Sequence, residues 1–152
     1  MKTKILLLAS VVCALLFATP SMAQKTYAIG DSIKVDGVSA VVFALSDDGQ
    51  HGMAVSCRQK LWPWPYTANY CTKMGPSWRM PTRAELLSIY QQKEALNKTL
   101  SQLGRTPIEP RWYWSSEEDK ASGHAWHVNL GSGEVEHDDK GYDFPVRGVA
   151  EF

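Results

Sequence analysis

Apolar and polar positions change their rhythm several times along this chain, and each change marks an element. Val38 to Ser46 is rich in Val, Ala and Phe and reads as a strand. Asp47-Asp48-Gly49-Gln50 is a turn, and Gly52 to Ser56 is the returning strand of a hairpin. A proline-punctuated loop with Trp62, Pro63, Trp64 and Pro65 follows, then a short helix from Thr67 to Met74 stopped by Gly75-Pro76. Thr82 with Glu85 three residues on has the form of a capping box, opening a helix with Leu86, Leu87 and Tyr90 on one stripe to about Gln92. A second amphipathic stretch uses Leu96, Leu100 and Leu103 and ends at Gly104.

The last third switches to period two. Trp112 to Ser116 reads as a short strand and Glu117 to Gly123 as a polar connection. From His124 to Leu130, Ala125, His127 and Asn129 alternate with Trp126, Val128 and Leu130, a half-buried strand. Gly131-Ser132-Gly133 turns into Glu134 to Glu136, Asp138 to Tyr142 is a loop, and Phe144 to Phe152 closes as one strand. Hairpins flanking a helical middle keep strands and helices apart, which predicts an α+β domain rather than a parallel doubly wound sheet.

The N-terminus has a different character. Lys2 and Lys4 precede an apolar run from Ile5 to Ala18, then Pro20 and the small-residue stretch Ser21-Met22-Ala23. That is the pattern of a secretory signal peptide, residues 1–23, too short for a spanning helix. Residues 24–152 are then one exported domain, in the periplasm or at the cell surface, with no membrane span once the signal is removed. The formal net charge is zero, which gives no electrostatic reason to expect nucleic acid as a partner.

Two cysteines remain in that domain, Cys57 and Cys71. In an exported chain they form either a disulfide or two buried free thiols, and their spacing does not choose between them. His124 and His127 fall on opposite faces of a strand, so they do not share a metal. Glu134, Glu136, Asp138, Asp139 and Asp143 could hold calcium or form a solvated acidic face; the acidic face is preferred, and no cofactor or metal is expected.

Three segments taken together resemble a known family. They are Trp78 to Leu86 (WRMPTRAEL), Tyr113 to Glu117 (YWSSE), and Ala125 to Asn129 (AWHVN) with the terminal Val146-Arg147-Gly148-Val149. This is similar to the Fibrobacter-type major paralogous domain and the related Lcl-type C-terminal domain of exported bacterial proteins. The resemblance implies a C-type lectin-like fold, with two helices on small antiparallel sheets beside an irregular long-loop region that carries specificity. Met80 and Leu130 stand where the family pattern has Leu and Phe, and Gly148-Val149-Ala150 lacks a second Arg.

Trp78, Trp114 and Trp126 lie beside apolar neighbours and are expected in the core. Trp62, Trp64 and Tyr66 lie in a loop, where flat rings suit sugar or peptide stacking. With Trp112, His127, Asp138, Asp139 and Asp143 they form the expected binding face. The function expected is a non-catalytic binding module for a glycan or partner protein of the envelope or host. The alternative is a structural subunit of an envelope assembly that takes no small ligand.

Overall fold

The computed structural model describes residues 24–152; the expected signal peptide lies outside them. The elements are β1 (Ser32–Val35), β2 (Val38–Leu45), β3 (Gly52–Ser56), β4 (Lys60–Trp62), α1 (Trp64–Thr72), β5 (Trp78–Arg79), α2 (Arg83–Gln102), β6 (Trp112–Asp119), β7 (His124–Asn129), β8 (Val135–Asp138), β9 (Phe144–Val146) and β10 (Val149–Glu151). Two helices and small antiparallel sheets make the domain α+β. A five-stranded sheet runs β1-β2-β3-β10-β5, a three-stranded sheet β6-β7-β8, and β4 pairs with β9 alone.

The five-stranded sheet begins with a hairpin. Val35 pairs with Val38, leaving Asp36 and Gly37 as a two-residue turn with φ of 49° and 78°. Positive φ at both positions is what Asp-Gly supplies, and it matches the strand twist. In β2, one residue is extra between Val42 and Ala44. At the bulged end of the β2–β3 pair, a Cβ on Gly52 would stand 2.2 Å from the Ala44 carbonyl oxygen, so only glycine fits there.

Helix α2 is one helix of 20 residues, not two shorter ones. Leu86, Ile89, Leu96 and Leu100 are all buried. The seven residues from Ile89 to Leu96 are two helical turns, so both Leu stripes share one face. The residues between are good helix formers and contain no breaker. The capping box at its start is complete: the Thr82 hydroxyl accepts from the Glu85 amide at 3.2 Å, and Glu85 accepts from the Thr82 amide at 2.8 Å. At its end Gly104 takes φ of 64°, and the Arg105 amide donates back to Leu100 at 2.8 Å, a Schellman stop.

Helix α1 starts three residues earlier than its pattern suggests. Pro63 stands at the N-cap and Pro65 in the first turn, where a missing N–H costs nothing. The prolines therefore open a helix where a loop is expected. The closing stretch also departs from expectation, because it is two strands: β9 pairs with β4, and β10 inserts between β3 and β5.

Three apolar clusters result. The main one sets Val41, Phe43, Val55 and Val149 against α2 and against Tyr113, Val128 and Leu130. The second, on the other face of the large sheet, holds Trp78 with Val38, Ala54 and Ala150. The third packs Trp114, Ala125 and Val146 against Cys71 and Met80. Cys57 belongs to the first cluster and Cys71 to the third, and both are free, buried thiols. Burial pushes the Cys71 thiol up to about 12, so it stays protonated and unreactive.

Candidate functional site

The site grows from the third cluster outward. Trp114 on β6 is fully buried, and its indole N–H donates to the Trp62 carbonyl at 3.0 Å. That bond seats β4 on the three-stranded sheet. Phe144 of β9 pairs with Trp62 across the ladder and packs on Trp114 with ring centroids 4.7 Å apart. His127 lies edge-on to Trp112, Trp114 and Phe144, at 4.5, 5.5 and 4.9 Å.

A row of exposed rings stands on this foundation. Trp62 is 38% exposed, Tyr66 61% and Tyr142 56%. Trp62 meets Tyr66 and Tyr70 edge-to-face at 6.3 and 6.1 Å. Tyr142 stacks on Phe144 at 6.0 Å with the rings within 14° of parallel. The Lys60 ammonium lies 5.0 Å from the Trp62 ring centroid, a cation–π placement.

The loop before β9 is fastened to the start of α1. The Trp64 amide donates to the Lys140 carbonyl at 2.9 Å, so the first orphan donor of the helix is satisfied from outside. The Lys140 ammonium sits 4.9 Å from the Trp64 ring and 3.0 Å from Glu118. Asp139 accepts from the Gly141 amide at 2.7 Å, an Asx turn that aims Tyr142.

The expected site residues are therefore gathered in one region, in unequal roles. Trp62 and Tyr66 present their rings to solvent. Trp64 turns inward: its indole N–H donates to the Ser115 carbonyl at 2.7 Å. It borders an apolar groove of about 450 Å³ with Ala68, Thr72, Met80 and Ser116. Trp112 is half-buried against His127, while Asp139 and Asp143 are exposed on the loop.

His127 is a correction. It was expected on the binding face, but it is fully buried and touches no solvent. One side of β7 is covered by Phe144 and Trp114, so the polar residue is enclosed. Meanwhile Trp126, expected in the core, is half-buried beneath the Arg83 guanidinium at 4.4 Å. His127 Nε2 stands 2.9 Å from Asp138 Oδ2, and Nδ1 has no hydrogen-bond partner. Burial lowers the His127 pKa, against the pull of Asp138, so the ring is neutral and Nε2–H donates to the carboxylate.

The acidic residues do not converge. Asp138 is held by His127, Asp139 by its own turn, and Glu134 by Ser132 at 3.0 Å. Among the described residues, no group of three or more His, Cys, Asp and Glu side chains is placed, as it stands, to hold a metal ion.

Tyr142, Phe144 and Lys140 complete the region without having been singled out from sequence. Their signal was an aromatic pair flanking Asp143, directly after a glycine turn. Arg147, the Arg of the terminal motif, is also not a surface group: it is 2% exposed. Its guanidinium donates to the carbonyls of Ser56, Thr106 and Pro107 and to the Gln59 side chain. It holds the loop between α2 and β6 in place, below the site.

The model of the Lcl C-terminal domain family matches residues 38–150, nearly the whole described chain. No curated protein matches the sequence.

Proposed function

The chain belongs to the Lcl C-terminal domain family, and from that premise we propose that it is an exported, non-catalytic binding module whose ligand is a glycan. The fold we assign to it is C-type lectin-like, akin to the Fibrobacter-type domains, with β4, α1 and the loop 139–143 as the specificity region. The observation that carries the reading is the row of exposed rings at Trp62, Tyr66 and Tyr142, backed by a buried aromatic layer. Rings seated this way lose little freedom on binding and offer flat faces to the C–H faces of sugar rings. Lys60, Lys140, Asp139 and Asp143 border the row with hydrogen-bonding groups of both signs.

His127, buried and bonded to the part-exposed Asp138, supports a structural role over a catalytic one. Among the described residues its Nδ1 has no hydrogen-bond partner, and aromatic rings pack around the imidazole, so no nucleophile is hydrogen-bonded to it for activation. One rival reading rests on Leu61, 46% exposed on the strand that carries Trp62: β4 would then be an apolar contact in an envelope assembly, with no small ligand.

The test is a glycan array beside a pull-down from the native envelope, with wild type and a Trp62, Tyr66 and Tyr142 to Ala triple variant. Trp64 is left intact because its ring holds Ser115. Near-UV circular dichroism checks that the variant stays folded. A saccharide bound by the wild type and lost in the variant is the expected result. Equal binding by both would remove the site, and a protein partner without any saccharide would favour the assembly reading.

A further inference from the structure

The three-stranded sheet has a second face, and it carries a different chemistry. His124 and His127 lie an odd number of residues apart on an unbulged strand, so they point to opposite sides. His124 and Trp126 share one side with His137, which pairs with Trp126 across β7 and β8. Asp119 pairs with His124 across β6 and β7, on that same side. Residues 13 apart in sequence thus meet: His124 Nδ1 and His137 Nδ1 are 3.2 Å apart. Asp119 Oδ2 is 3.9 Å from His137 Nδ1.

We propose that the His124–His137 pair is the preformed half of a binding site for one divalent transition-metal ion of the zinc type, with Asp119 drawn in as third ligand when the ion binds. Zinc–nitrogen bonds of about 2.0–2.1 Å place two imidazole nitrogens on one tetrahedral ion about 3.3 Å apart. The two nitrogens already stand at that separation on neighbouring strands, where the ladder fixes their backbones. The Asp119 carboxylate, 3.9 Å from His137 Nδ1, swings in on binding to become the third ligand. It is oriented for this. The Ser122 hydroxyl donates to its Oδ2 at 2.6 Å and the Ala121 amide to its Oδ1 at 3.2 Å, the outer-shell support that carboxylate ligands use.

Access and charge agree with this assignment. The His137 and Asp119 side chains are 36% and 25% exposed, so an ion enters from solvent and its fourth position faces water. The nearby Arg83 is paired with Glu117 at 3.0 Å and does not repel it. Two imidazoles with one carboxylate favour zinc, nickel or copper over calcium. With no ion bound, one ring donates N–H to the other nitrogen. This site is on the side of the sheet opposite the aromatic row, and the inference does not depend on the glycan reading.

The experiment is calorimetric titration of tag-free protein with zinc chloride, and of its fluorescence with copper(II). One ion per chain is expected, with the melting midpoint raised by about 5 °C or more at hundredfold excess over Kd. His137 packs on Trp126 with centroids 4.6 Å apart, so copper quenches that indole and Trp126→Phe removes most of the quenching. His137→Phe keeps a ring on Trp126 and drops the ligand. That variant and His124→Gln should each weaken zinc binding at least tenfold, and Asp119→Asn by about tenfold. His51→Gln, on the distant β2–β3 turn, leaves it unchanged. Absence of saturable one-to-one binding up to millimolar zinc overturns the site. So does binding that survives in both histidine variants.

Discussion

Arg147 offers the sharpest test of how the candidate site is supported. It carries a buried charge, 2% exposed, with no carboxylate among its hydrogen-bond partners. Burial lowers its pKa from the ordinary arginine value, yet a guanidinium remains charged in a protein. What offsets the desolvation is four hydrogen bonds: to Ser56 O at 3.1 Å, Thr106 O at 2.6 Å, Pro107 O at 3.2 Å and Gln59 Oε1 at 3.1 Å. Gln59 in turn accepts from the Tyr113 hydroxyl at 3.2 Å. In Arg147→Met the charge and its desolvation cost both disappear, but three carbonyls lose a donor. Each buried acceptor left without a donor costs about 1–3 kcal/mol, and with the relieved desolvation set against that sum the net loss is about 3–5 kcal/mol. For a domain of this size that is roughly 10–15 °C in Tm. Arg147→Lys keeps the charge but cannot span all four acceptors, and should fall between. Urea unfolding followed by tryptophan fluorescence measures both, with limited proteolysis of the loop 103–107 as a local readout. A Met variant within about 1 kcal/mol of wild type, with that loop still protected, would refute the role assigned to the guanidinium.

Two further predictions concern single residues. Thr82→Ala removes the hydroxyl that accepts from the Glu85 amide and should cost about 1 kcal/mol; an unchanged denaturant midpoint would contradict the helix start. His127 has its pKa lowered by burial, so the unfolded chain takes up a proton near pH 6.5 while the folded chain does not. The unfolded state then binds more protons, and stability falls as pH drops below about 6.5 towards the lower folded value. His127→Gln should flatten that part of the stability profile; identical slopes for both proteins would show that another group causes it.

Much of the local structure was written in short stretches of sequence. The capping box at Thr82 and Glu85 and the stop at Gly104 stand where the residue types put them, because caps and C-terminal glycines act within one helical turn. The hairpin from Val38 to Ser56 follows from β-forming runs around a turn. The Asp36-Gly37 turn was equally legible, since that dipeptide suits a two-residue hairpin, but the strand before it is only four residues long. The three motif segments were enough to place the chain in its family, which the match over residues 38–150 bears out.

Pairing and burial were decided elsewhere. Nothing between Phe144 and Phe152 says that its first part joins Lys60–Trp62 and its second part enters the large sheet, because a strand's partner is chosen by packing of distant segments. The alternation from His124 to Leu130 identified a strand and its two faces. It could not say that Phe144 and Trp114 would cover the His127 side while Trp126 kept a share of solvent. Period two describes where side chains point, and only the neighbouring layers determine what they meet. For the same reason the meeting of His124 with His137, and of Trp62 with Phe144, belongs to the tertiary structure. Each depends on strand register, which brings together residues that sequence keeps apart.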